Sequence, residues 1–310
     1  MEVFVDTDCG IDDFAALLFL RRTPLARVVG VGLVHGNVSA AASRKVVSLA
    51  LPDAPVYAGC EERLVGGREV ESWPGHGEDG LGGEGEAVAR LLDWAGDKGE
   101  GDGGEGKRKK SAAEAMVAAA RECEGRLVVL ALGPLTNVAL ALCLDGGFKE
   151  RVARVVAMGG TRRGRGNSSL AAEFNLHADP EAAARVVRDL GDRMTLVPWE
   201  TTEACALPWE WTRSSELLGL VAKRYREEEE ARGGAFVMCD LTAAVVCVAP
   251  EVVAREKKMG AQVVLAGEAR GAIMFDHYAR RVDAHPQVRV VEKVHVDKVL
   301  AMCTIIKEKK

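Results

Sequence analysis

The sequence predicts an α/β fold: an open, mainly parallel central sheet flanked by helices. Three observations predict it. Short β-branched runs recur along the chain, helical patterns lie between many of them, and polar clusters follow several of the apolar runs. Alternating strands and helices argue for strand–helix–strand units and hence for parallel pairing.

The predicted strands are Val3–Asp6, Val28–Leu33, Leu127–Ala131, Val152–Met158, Met194–Val197, Gln262–Leu265 and Val288–Val291. The clearest helices are Asp12–Arg21, Ala40–Ala50, Ala112–Arg121, Pro134–Leu142 and Pro180–Leu190. Two of these open on proline, which at the first helical position gives up an N–H that has no partner anyway. The last segment, Val296–Ile306, repeats apolar residues at helical spacing and is predicted to dock on the core.

The chain has 310 residues, 48% of them hydrophobic, enough for one large core. Residues 96–110 read GDKGEGDGGEGKRKK, with six glycines and no apolar side chain, so they cannot fill a core. They are read as a polar surface insertion in a single domain spanning 1–310. The net charge of -5, with both signs interspersed, argues against a polymeric nucleic acid as partner. No apolar run is long enough to span a bilayer, and the N-terminus starts on a core strand without the pattern of a secretory signal. The eight cysteines are scattered with no C-x-x-C pair, which predicts reduced, mostly buried thiols in a cytoplasmic protein and no cysteine zinc site.

The most informative segment follows the first strand. Asp6-Thr7-Asp8-Cys9-Gly10-Ile11-Asp12-Asp13 puts four carboxylates within eight residues, at a turn that Gly10 is expected to permit. In an open parallel sheet, ligands bind beyond the carboxyl ends of the strands. Carboxylates this close repel one another. A helix N-terminus offsets only about 0.3–1 kcal/mol for each of Asp12 and Asp13. A divalent cation offsets far more, and an all-oxygen set points to calcium or magnesium. An apolar strand ending in Asp-x-Asp also resembles the nucleophile motif of magnesium-dependent haloacid-dehalogenase-type phosphatases. Gly191-Asp192 is the only later echo of that pattern, and the Asp12-Asp13 doublet has no place in it.

Further polar groups follow other strands. Asn37 lies in His35-Gly36-Asn37, where a turn or cap role would also suit it. Leu132-Gly133-Pro134-Leu135-Thr136-Asn137 turns from strand to helix and is expected to leave the Leu132 carbonyl free for a ligand or metal. Asn167, Glu173 and Asn175 offer donors and acceptors suited to sugar hydroxyls. Asp179 before Pro180 reads as a helix N-cap, and His177 as a packing or surface residue. Asp240, ahead of an apolar helix, suits either a cap or a metal carboxylate.

Together these segments resemble the inosine-uridine-preferring nucleoside hydrolases. The likeness starts at Asp6-Thr7-Asp8-Cys9-Gly10-Ile11-Asp12-Asp13 and continues through Gly36-Asn37, His76-Gly77-Glu78-Asp79-Gly80-Leu81, Gly133-Pro134-Leu135-Thr136-Asn137, Met158-Gly159-Gly160, Asn167, Glu173-Phe174-Asn175 and Asp179-Pro180-Glu181-Ala182-Ala183. The resemblance implies a Rossmann-like α/β core and calcium-dependent hydrolysis of ribonucleosides to ribose and free base, in nucleoside salvage. It implies calcium ligands at Asp8, Asp13, the Leu132 carbonyl and Asp240, with Asp8 as general base for the attacking water. Asp12, Asn37 and Asn175 would hold the 2′- and 3′-hydroxyls, and Asn167 and Glu173 the 5′-hydroxyl. It also implies a homodimer or homotetramer.

Cys239 departs from the family pattern, which commonly has His before the last metal-binding Asp to assist the leaving base. A thiol of pKa about 8.5 can still donate a proton; a packed thiol without a role is the alternative, and with it a protein that binds ribonucleosides without cleaving them. Two mobile loops are expected over the base, Trp73–Gly83 and roughly Tyr225–Met238, with Trp73, His76, Tyr225 and Phe236 as candidate base contacts. The run Glu227–Glu230 is read as a solvated helix face.

Overall fold

Strands that run apolar on both faces belong inside a sheet covered twice, and the computed structural model shows this arrangement. It describes residues 1–66, 71–94, 109–230, 234–279 and 285–307. The strands are β1 (Glu2–Thr7), β2 (Arg27–Leu33), β3 (Val56–Tyr57), β4 (Leu127–Ala131), β5 (Val152–Met158), β6 (Met194–Val197), β7 (Val253–Val263), β8 (Ile273–Phe275) and β9 (Gln287–Val294). They form one sheet in the order β3-β2-β1-β4-β5-β6-β9-β7-β8. Pairing is parallel from β3 through β9. β7 joins β9, and β8 joins β7, antiparallel.

The helices are α1 (Ile11–Arg22), α2 (Ala40–Ala50), α3 (Gly85–Leu91), α4 (Ala112–Glu122), α5 (Thr136–Leu144), α6 (Phe148–Arg151), α7 (Phe174–Ala178), α8 (Pro180–Leu190), α9 (Trp199–Glu203), α10 (Trp209–Arg213), α11 (Glu216–Val221), α12 (Lys223–Glu229), α13 (Cys239–Val248) and α14 (Val296–Cys303). Strand alternation divides the core between the two faces. Val3, Val5, Val128 and Leu130 pack with α1, α2, α13 and α14, while Phe4, Leu127, Val129 and Ala131 pack with α4, α5 and α8. Every residue of α13 is buried, and α1 is buried from Phe14 through Leu20. These two helices pack on each other, so neither needs a polar face.

Predicted and observed elements agree best in the parallel core. β4, β5, β6, α2 and α8 have the predicted bounds. The strand predicted at Gln262–Leu265 is instead the end of the longer β7, and Leu265 lies beyond it, exposed. The first half of β7 carries Arg255-Glu256-Lys257-Lys258 on an exposed antiparallel ribbon, so it shows no apolar signal. β3 and β8 have two and three residues, too few to show a period. Pro134 is not the first helical residue: α5 starts at Thr136, and Pro134 lies in the turn before it. Most of the predicted insertion at 96–110 lies outside the described residues. Six cysteines are buried, Cys60 is half-buried, and Cys143 on α5 is exposed.

Asp179 caps α8 by accepting the Ala182 N–H at 3.0 Å. It also accepts the Leu64 N–H (2.9 Å) and the Thr136 hydroxyl (2.8 Å), tying a loop and α5 to the same point. Asp179→Ala removes the cap and orphans two further donors, and is expected to cost about 2–3 kcal/mol. Denaturant midpoints check this; a cost below about 0.5 kcal/mol would show that the three bonds contribute little.

Candidate active site

The carboxyl ends of β1, β2, β4, β5 and β6 open on one cleft of about 1440 Å³. Its acidic floor is built by the turn from β1 into α1. Cys9, not Gly10, takes the left-handed backbone there, with φ 57°. Gly10 is needed for space, since a Cβ at that position would lie 2.6 Å from the His76 ring. Thr7 and the Gly10 N–H both hold the Asp13 carboxylate, the latter at 2.7 Å. The Asp240 N–H donates to Asp12 at 3.3 Å.

Carboxylate oxygens of Asp12, Asp13 and Asp240 lie within 4.8 Å of one another. Asp8 stands beside them, with Oδ2 accepting the Asn37 N–H at 3.0 Å. Its Oδ1 is buried and has no hydrogen-bond partner. Gly36 makes room for Asp8: at φ 154°, a Cβ would fall 2.0 Å from Oδ2. Burial first, and then the neighbouring carboxylates, push the Asp8 and Asp240 carboxyl groups well above the ordinary range. The same two causes raise Asp13 to about 6. Such a set is poorly stable as bare anions. An orphaned buried oxygen and an all-carboxylate donor set fit a hard divalent cation. Asp6 lies behind the cleft, pushed up to about 7 by burial, with Oδ1 accepting from Asn137 at 2.8 Å.

Leu132, Asn37, Asn167, Glu173 and Asn175 line the same cleft. The Leu132 carbonyl is not free as expected, because Asn175 Nδ2 donates to it at 2.7 Å. A carbonyl has two lone pairs, so one acceptor position remains. Asn175 Nδ2 also donates to the Met158 carbonyl at 3.1 Å. Both amide hydrogens are thereby spent, and only the side-chain oxygen can meet a ligand. Glu173 caps α7 by accepting the N–H groups of Asn175 (2.9 Å) and Leu176 (3.3 Å), and it takes the Gly160 N–H at 2.8 Å. Burial pushes it up to about 7 against those bonds. Asn167 Oδ1 accepts the Phe174 N–H at 2.9 Å, leaving its amide nitrogen to act as donor.

The four predicted base contacts come together as one aromatic cluster. The Trp73 and Tyr225 rings are 4.7 Å apart, Trp73 and His76 5.2 Å, and Tyr225 and Phe236 5.1 Å. All four line the cleft. Tyr225 lies on helix α12, however, rather than in a loop, and Glu229 of the run expected to be solvated lines the cleft as well. Residues 231–233 of that predicted loop lie outside the described residues. The Ile11 N–H donates to His76 Nδ1 at 3.2 Å, which fixes the ring proton on Nε2. Burial lowers the pKa of His76.

Cys239 opens α13 inside the cleft. Burial, with the charge of Asp12 next, pushes its thiol well above the value expected from sequence. It is therefore a weaker acid than an exposed cysteine. The Thr202 hydroxyl divides its one proton between the Trp199 carbonyl (2.8 Å) and Cys239 Sγ (3.2 Å). Trp199 and Glu203, unforeseen from sequence, also line the cleft. The rule that ligands sit beyond strand ends, applied to β6, would have pointed to them. His177 lines the cleft beside Arg270 and Glu181.

Comparison with known proteins agrees with this geometry. The family model described as inosine-uridine preferring nucleoside hydrolase matches residues 3–301. The chain is 38% identical over 201 residues to uridine nucleosidase 1 of Arabidopsis thaliana, covering 63% of this chain and 55% of that protein. It thus spans about half the length of the plant relatives it matches. It is 31% identical over 267 residues to the non-specific ribonucleoside hydrolase RihC of Escherichia coli O127:H6, covering 81% and 80% of the two chains. A solved structure titled inosine-guanosine nucleoside hydrolase superposes with a TM-score of 0.85 at 30% identity, over 100% of this chain and 99% of that one. Phosphatases of the type resembled at Asp6-x-Asp8 need a later lysine, and among the described residues no lysine lines the cleft. The chain belongs to the inosine-uridine preferring nucleoside hydrolase family.

Proposed function

We propose that the chain hydrolyses the N-glycosidic bond of ribonucleosides, with calcium, to give ribose and a free base. The observation that carries this reading is the buried, unpartnered Oδ1 of Asp8 beside the Asp12, Asp13 and Asp240 carboxylates, beneath a cleft that Asp12 and Asp240 line and that has an aromatic wall. Asp8, Asp13, Asp240 and the Leu132 carbonyl would hold the cation. When bound, calcium would balance the buried charge and would polarise water and ribose hydroxyls.

Asp8 Oδ1 then takes a proton from the attacking water. The water oxygen bonds to C1′, the C1′–N bond breaks, and its electron pair leaves with the base, which must gain a proton. The transition state resembles an oxocarbenium ion, as in other glycoside hydrolysis. Asp12, Asn37 and the oxygen of Asn175 orient the 2′- and 3′-hydroxyls, and Glu173 and Asn167 the 5′-hydroxyl; held geometry lowers the entropic part of the barrier. For the leaving base, His76 presents an N–H donor and Cys239 only a weakly acidic thiol.

A turnover assay with calcium on inosine, adenosine, guanosine, uridine and cytidine, scoring free base by chromatography, tests the reading. Release of base from at least one is the expected result. Binding of nucleosides by calorimetry without any release would instead favour the binding-only reading, which the weak acidity of Cys239 supports, and would make Cys239→His the next variant.

A further inference from the structure

The cleft lining carries groups of both charges. Arg63 and Arg270 line it, with Glu181 holding Arg270 through two bonds of 2.8 and 2.7 Å. The Trp73–Tyr225–Phe236 cluster and Cys239 line it too, together with two carboxylates, Glu203 and Glu229. Among the described residues, no arginine or lysine other than Arg63 and Arg270 lines the cleft.

We propose that Glu203 is a specificity residue that reads the departing base and selects guanine. The proposal rests on the nucleoside reading above. Glu203 closes α9, whose first residue follows β6 by a single proline. Thr202, the residue before it, donates to Cys239 Sγ at 3.2 Å, and Glu203 lines the same cleft as Cys239 and the aromatic cluster, beside the wall where the base would lie.

An ionised carboxylate only accepts hydrogen bonds. Guanine presents N1–H and a 2-amino N–H side by side, which match two carboxylate oxygens as a guanidinium edge does. Hypoxanthine keeps N1–H and lacks the amino group. Adenine and cytosine set a bare ring nitrogen beside their one amino group, and uracil flanks N3–H with two carbonyls; each turns a lone pair toward the carboxylate. A site built for two donors discriminates against a base that leaves its acceptor unpaired.

The test compares kcat/KM for guanosine and inosine, which differ only in the 2-amino group, on the full chain with calcium present. The wild type is expected to favour guanosine by about 10-fold or more. Glu203→Gln, which turns an amide N–H toward the base, is expected to lower the guanosine value at least about 10-fold and the inosine value less than about 3-fold. An unchanged guanosine-to-inosine ratio, with turnover intact, overturns the proposal. Equal losses on both substrates overturn it as well, and make Glu203 a proton donor or a structural support. A wild type silent on every nucleoside overturns the nucleoside reading itself, and this proposal with it.

Discussion

Asp8→Asn is expected to lower kcat by about 10³–10⁴-fold while the chain still folds. The replacement has the same shape. The Asn37 N–H requires an acceptor where Asp8 Oδ2 now stands, so the amide oxygen turns to that side. The amide nitrogen then occupies the position of the unpartnered Oδ1. A group that took a proton is replaced by one that can only give protons, beside a cluster that attracts a cation. Removing one of several mutually repelling buried carboxylates should also raise the thermal midpoint of the metal-free protein. Single-turnover rates at saturating calcium and nucleoside provide the check, and parental turnover would remove Asp8 from the chemistry.

Chelation should produce the second large effect, and its size should depend on pH. Burial pushes Asp6 and Glu173 up to about 7 and Asp13 to about 6, above the roughly 4 of unfolded carboxylates. Between about pH 4 and 7 the folded chain therefore holds more protons than the unfolded one. Stability of the metal-free protein is then fully present below about pH 4 and is lost as pH rises through the folded pKa values. A cation requires the ionised form of its ligands, so its binding strengthens over the same range. Calcium at a hundred times its Kd stabilises by about 2.7 kcal/mol. The expected result is a metal-free thermal midpoint that falls from pH 5 to pH 8, with a calcium-induced rise that is larger at pH 8 and removed by chelator together with activity. A calcium shift that is absent, or equal at both pH values, would mean that Asp13 and the carboxylates grouped with it are not its site.

What the sequence revealed follows from how each part is encoded. Core strand β4 is apolar throughout, and β5 is so apart from Arg154, because helices cover both faces, so their bounds were legible to the residue. β7 was hidden because an exposed ribbon tolerates charge at nearly every position of its first half. Asp8, Asp12 and Asp13 were legible as a cluster because carboxylates crowded beyond a strand end repel one another unless charge compensates them, whereas Asp6, counted with them from the sequence, lies in β1 and bonds Asn137 behind the cleft. Asn175 was legible as a polar group but not in its orientation: that both its hydrogens are held by the β4 and β5 ends is a tertiary fact. Trp199 and Glu203 follow β6 through a short helix without a motif of their own. The depth at which Cys239 is buried, and so the weakness of its acid, depends on packing of α13 that no local pattern encodes.

The distribution of thiols offers a handle for solution work. Cys143 is exposed near the end of α5, and a helix that follows a parallel strand runs back toward the opposite edge of the sheet. At 1.5 Å per residue, the seven residues from Thr136 carry Cys143 roughly 10 Å away from the rim of the cleft. A maleimide dye there would report tumbling and subunit association by fluorescence anisotropy while leaving the nucleoside end untouched. Cys239, by contrast, is buried although it lines the cleft, so protection of it from modification by a bound nucleoside would report occupancy of the cleft.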